Sequence, residues 1–278
     1  MLDLLAALAQ FTLYGGVLSA VGGVLAAATL RAPAASRGAL ERLVRTGATF
    51  TIAATLAGAL VLLYRLGGNF DEQTISAVLM SSVGAAGGLQ IVGALLLLLT
   101  PASSDDTFVA GMRLSYAGLI AASFLFNGHS AAVGMPLGLV ACAHISLGAW
   151  WLGSLIAMER ACALSPVQET AAVVQRFSAL AVGAIVALIV AGIIMVIALI
   201  ARPISITPYL QVLLVKIGIA VAVFGLASYN KFRLTPRLLA HDPQAALALQ
   251  RAIHIELFLI GAVLVTTAIL TTYQSPEG

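Results

Sequence analysis

Long apolar runs, separated only by short polar breaks, constrain this chain more than any motif in it. A helix needs about 20 apolar residues to cross the ~30 Å hydrocarbon core of a bilayer. The 278-residue sequence offers such stretches along nearly its whole length. Only 9% of its residues are charged and 61% are hydrophobic, with a mean hydropathy of +1.05. A soluble domain carries about 25% charged residues, so too little polar surface exists here to face water. That excludes a soluble enzyme, a nucleic-acid binder and a disordered tail. The expectation is an all-α, polytopic integral membrane protein, an eight-helix bundle in which residues 1–278 form one membrane domain with lipid as its first partner.

The predicted spans are Leu4–Leu30, Thr46–Leu66, Thr74–Leu99, Phe108–Phe126, Met135–Met158, Phe177–Ile200, Tyr209–Tyr229 and Ile253–Tyr273. Breaks such as Arg31-Ala-Pro-Ala-Ala-Ser-Arg-Gly and Thr100-Pro-Ala-Ser-Ser-Asp-Asp carry the proline and polar residues of turns. Pro236 and Pro243 interrupt the last loop. The alternation of a membrane β-barrel is absent from these runs. Met1-Leu-Asp-Leu-Leu lacks a positive n-region, so the first apolar run reads as a retained span and not as a cleaved leader.

Charge supplies the orientation. Arg31, Arg37, Arg42, Arg45, Arg113, Arg160, Arg176, Lys231, Arg233, Arg237 and Arg251 fall on one side, against Arg65 and Arg202 on the other. The formal charge of +3 therefore reads as topology: the basic side is cytoplasmic, and both termini lie outside the cytoplasm. Glycine is abundant and clusters within spans, as at Gly15-Gly16, Gly22-Gly23 and Gly87-Gly88, where small residues let helices approach closely. Cys142 and Cys162 have neither CxxC spacing nor a disulfide framework and read as packing residues.

Ionisable residues at membrane depth carry the chemical signal. His129 lies in the polar turn Phe126-Asn-Gly-His-Ser at the outer surface. His144 stands nine residues beyond Met135, which is ~13 Å into the bilayer. His254 opens the last span on the inner side, and His241 reads as a solvated loop residue. Met80, Met135 and Met195 fall in the outer third of their spans. Thioether and imidazole donors suit Cu(I), whereas Mg, Ca or Mn would want carboxylates. The competing readings are ordinary: an interhelical hydrogen bond for His144, core filling for the methionines. Lys216 is an isolated charge within a span. Arg176, Asn230 and Glu256 are expected to meet at the inner surface, and Trp151, seven residues after His144, to wall the pocket that imidazole enters.

From about Asn127 onward the chain resembles the copper resistance protein D (CopD) family of bacterial inner-membrane proteins. The resemblance rests on Gly128-His129-Ser130, on His144 followed by Trp151-Leu-Gly-Ser, and on Arg176-Phe-Ser. Leu213-Leu-Val-Lys216, Asn230-Lys231 with Pro236-Arg237, and Glu256 extend it. It implies eight membrane helices and a role in copper import or handling, often with a small periplasmic copper-binding partner, a CopC-like protein supplied here as a separate chain. It also implies that His129 and His144 are the metal residues. Family members often carry a first-span histidine, where this chain reads Gln10-Phe-Thr-Leu-Tyr; Ser154 stands where a second glycine is usual, and Ser130 where an alanine is.

The leading expectation is thus a copper-handling inner-membrane protein, not an enzyme, without catalytic residues. His129, with Met135, would receive copper, as Cu(I), at the periplasmic face; His144 would bind it midway, and His254 is a weaker inner station. No nucleotide-binding motif is present, which excludes primary pumping. One alternative is a b-type haem electron-transfer subunit with His144 as axial ligand. Another is a non-transporting subunit that docks a partner through His129. Direction of movement, energy coupling and oligomeric state are not encoded in these motifs.

Overall fold

The computed structural model describes residues 1–68, 70–101, 106–126, 133–199 and 207–273. Among them no strand occurs, and eight helices are long and apolar enough to cross a membrane. In chain order the helices are α1 (Leu2–Leu30), α2 (Ala34–Arg65), α3 (Glu72–Leu79), α4 (Ser82–Leu99) and α5 (Thr107–Ala122), the last continued by a 3-10 turn, Ser123–Leu125. Then follow α6 (Met135–Leu164), α7 (Val167–Leu199) and α8 (Pro208–Tyr229). A π-helical turn, Asn230–Leu234, joins α8 to the short α9 (Thr235–Leu239), and α10 (Pro243–Thr272) closes the bundle.

Helix α1 lies at the centre, against α2, α5, α6 and α10. Its Val17, Val21, Val24, Ala26 and Leu30 are all buried. Lipid is as apolar as these side chains, so close van der Waals contact and interhelical hydrogen bonds hold the bundle together. Glycines allow the contact. A Cβ on Gly16 would stand 2.9 Å from the Gly47 carbonyl, and one on Gly47 would stand 2.7 Å from the Gly16 carbonyl, so α1 and α2 touch backbone to backbone. Gly15 and Gly88 face open space instead. Polar links span the remaining gaps. Thr55 of α2 donates to Gln90 of α4 at 2.9 Å, and Gln90 donates to Ser123 at 3.0 Å. Ser36 of α2 donates to the Ala157 carbonyl of α6 at 2.8 Å, and the Trp150 indole of α6 to Thr29 of α1 at 2.9 Å.

The basic residues gather at one end. There Arg113 of α5 pairs with Glu41 of α2 at 2.6 Å, and Arg45 pairs with the same carboxylate at 3.0 Å. Arg65 and Asp3 tie α2 to α1 at the opposite end. Helices α7 and α8 are peripheral. Val182, Val186, Ile189, Val190, Ile193 and Ile197 of α7 are exposed, a surface that lipid covers and water would not.

Several boundaries differ from the expected spans. The stretch Thr74–Leu99 is two helices, because Ser81 caps a new N-terminus by accepting the Gly84 N–H at 3.2 Å. Helix α7 begins at Val167, α2 at Ala34 and α10 at Pro243, since these amphipathic extensions pack against the bundle although they lack an apolar span's composition. Pro236 does not open a loop. It sits in the first turn of α9, where its missing N–H is no loss, and the π turn before it takes up the register change. Thr235 donates to the Asn230 carbonyl at 3.0 Å across that turn.

Candidate functional site

Helices α6 and α10 pack side by side, with α7 against α6 and α8 against α10. On the face of α6 turned toward α7, His144, Trp151 and Met158 stand seven residues apart; the α7 side of this cleft carries Phe177, Ser178, Ala181, Ile185 and, beside His144, Gly192.

His144 sits high in this cleft. Its ring lies against the Leu188–Gly192 turn of α7, with Cε1 3.6 Å from the point where a Cβ on Gly192 would stand. Nδ1 is buried and finds no hydrogen-bond partner among the described residues. The ring does meet the Leu188 backbone of α7 as a hydrogen-bond partner, so His144 also links α6 to α7.

Lower down, a cavity of about 60 Å³ opens among α6, α7, the π turn and α10. Trp151, Phe177, Ser178, Asn230, Lys231 and Glu256 line it. Glu256, only 1% exposed, accepts a 2.6 Å hydrogen bond from the Asn230 amide through Oε1. The π turn brings Asn230 to this position. Phe177 stacks on Trp150 at 5.4 Å and meets Trp151 edge-on at 5.3 Å, which fixes the indole as one wall. Lys231 lies at the rim and donates to the Ser178 carbonyl and hydroxyl at 3.0 and 3.1 Å.

Trp151 walls the Glu256 cavity. One expectation is corrected by this geometry. Arg176 does not reach Glu256: it donates to the carbonyls of Leu30 and Arg31 at 3.2 and 3.3 Å. Arg31 ends α1 in a left-handed conformation (φ 46°), leaving carbonyls that a cation at a helix C-terminus satisfies.

The other nominated residues are dispersed. Met135 opens α6 with 58% of its surface exposed, about 13 Å along the helix from His144. Met80 is exposed at the end of α3. His254 is exposed on α10 and lies 3.4 Å from Glu159, which also accepts from Gln250 at 3.1 Å and pairs with Arg160. Glu159 is fifteen residues from His144, or about 22 Å along α6, so His254 and His144 do not share one ligand. Cys142 donates to the Ala121 carbonyl at 3.1 Å, in keeping with a packing role. His129 lies outside the described residues. Among the described residues no three His, Cys, Asp or Glu side chains come together as a metal site.

An all-helical bundle of eight apolar spans, with a buried carboxyl and a buried imidazole nitrogen left without a partner among the described residues, defines a polytopic membrane protein with polar groups inside its helical bundle. Residues 171–270, from early α7 to the end of α10, match the family model described as Copper resistance protein D. The resemblance read from the sequence coincides with the family match over that stretch. No curated protein and no solved structure matches the chain. The matched segment contributes Phe177, Ser178, Asn230, Lys231 and Glu256 to the cavity, whereas His129, Met135, His144 and Trp151 precede it. The expected meeting of Asn230 and Glu256 is borne out by their hydrogen bond, whereas the α7 wall of the cavity was not read from the sequence. The helical spacing of Val174, Phe177, Ser178 and Ala181 was the available signal, but it acquires meaning only once α7 is known to face α6.

Proposed function

We propose that this protein handles copper in a bacterial inner membrane, receiving the ion at His129 and Met135 on the periplasmic face and passing it inward by way of His144. Both termini are then periplasmic, with the basic end in the cytoplasm, and the donor is a separate small copper-binding protein. The observation that carries this reading is the Nδ1 of His144, buried within a spanning helix and without a partner among the described residues. Imidazole is a donor suited to Cu(I). His254 belongs to Glu159 in this reading, not to copper.

The test is metal analysis with a visible spectrum on detergent-purified protein, beside the His129→Ala and His144→Ala variants. Near-stoichiometric copper without a Soret band, lost in either variant, supports the proposal. A Soret band that vanishes in His144→Ala replaces it with a haem protein. Copper binding that survives His144→Ala removes His144 from the path.

A further inference from the structure

The cavity around Glu256 has no part in the copper path just described, and its hydrogen bonding is incomplete. Glu256 Oε2, Asn230 Oδ1 and Trp151 Nε1 are all buried, and none has a partner among the described residues. The indole N–H faces the Glu256 carboxyl without closing a bond of normal geometry. Two acceptors and one donor thus converge on a space of about 60 Å³, well above the ~10–15 Å³ that one water needs. Water placed there satisfies all three.

The carboxyl also has no ion-pair partner among the described residues. Asn230 is neutral, and Lys231, the other ionisable side chain among the described residues that line the cavity, donates to the Ser178 carbonyl and hydroxyl and not to the carboxylate. Arg176 is committed to the end of α1. On α10 itself His254 turns to Glu159, and α6 brings only Trp151, Leu155 and Met158 to the lining. An ionised carboxylate buried to this extent and held by one amide is costly, and such groups neutralise or take a cation. The donor set decides between these outcomes. A hard cation wants six or more oxygens, and two are offered, opposite an N–H that repels it.

We propose that Glu256 is a proton-exchange site, its carboxyl taking up and releasing a proton to water held in the cleft by Asn230 and Trp151. The proton passes between Oε2 and a water oxygen; no other bond forms or breaks. The π turn that delivers Asn230 is then part of the site, in keeping with the frequent placing of such turns at functional positions. This assignment is independent of copper.

The experiment is infrared difference spectroscopy of metal-free protein in lipid nanodiscs, between acid and alkaline buffer. The expected result is a carbonyl band of a protonated carboxylic acid that responds to pH, is lost in Glu256→Gln and persists in Glu159→Gln. Trp151→Phe keeps the aromatic wall, removes the N–H and shifts the midpoint of that band; it also serves if Glu256→Gln fails to fold. A band unchanged in Glu256→Gln, or no pH-dependent band at all, overturns the proposal. A midpoint unmoved in Trp151→Phe removes the indole from the site and overturns the assignment as stated.

Discussion

Gly22 of α1 and Gly153 of α6 cross with their backbones in contact. A Cβ on Gly22 would overlap the Ala149 carbonyl, and one on Gly153 would overlap the Gly22 carbonyl. The crossing docks α6, and with it His144 and Trp151, onto the central helix. Because the opposing atoms are backbone, neither helix can yield by turning a side chain. Gly22→Ala and Gly153→Ala are each expected to destabilise the protein by at least about 1–3 kcal/mol, the usual cost of overpacking. Gly15→Ala, facing open space, is expected to be neutral or stabilising by about 0.5–1 kcal/mol. Thermal unfolding in detergent distinguishes them.

The room beside His144 gives a second prediction. A Cβ at Gly192 stands at ordinary contact distance from the ring, so Gly192→Ala is expected to leave copper retention intact. Gly192→Leu fills the imidazole's space, and most of the copper should be lost although His144 is still present. Metal content of the two purified variants checks this, with helicity as the control for folding.

The buried pair of Arg113 and Glu41 joins α5 to α2. Arg113 also donates to the Pro101 carbonyl at 3.0 Å, and Glu41 keeps Arg45 when Arg113 is removed. Arg113→Leu is therefore expected to cost about 1–3 kcal/mol, the range for stranding a buried polar group. Adding Glu41→Leu should recover part of that loss. A double-mutant cycle on unfolding midpoints measures the coupling.

Asp242 opens α10, accepting the Gln244 N–H at 2.9 Å and both Arg237 nitrogens at 3.1 and 2.8 Å. The Arg237 hydrogen bond, then the Gln244 N–H, holds its carboxyl below the usual carboxylate value. A group depressed on folding stabilises above its unfolded value, and that contribution is lost as pH falls through the folded one. The first turn of α10 is accordingly expected to exchange amide hydrogen faster in acid. Asp242→Asn should abolish the pH dependence, and salt should weaken it, since the pair is exposed.

Eight spans were legible in the sequence because lipid imposes a length and a composition on each helix separately. Their junctions were less so. Ser81 breaks the third span with a cap, and Pro236 continues the seventh through a π turn; both depend on local hydrogen bonds that hydropathy does not weigh. The depth of His144 could be counted along its helix, whereas the missing partner of its Nδ1 could not.

What the sequence alone determined is therefore one-dimensional: which segments are long and apolar enough to span a membrane, and where along each helix an ionisable residue falls. Which helices touch was decided only in three dimensions. Arg176 illustrates the difference: it was expected to pair with Glu256 at the same depth, yet it closes the end of α1. Depth fixes only one coordinate of a side chain. The other two are set by the helix neighbours, and here those neighbours were chosen by backbone contacts such as Gly22 against Gly153, which gather Trp151, Asn230 and Glu256 from three separate helical segments around one cavity.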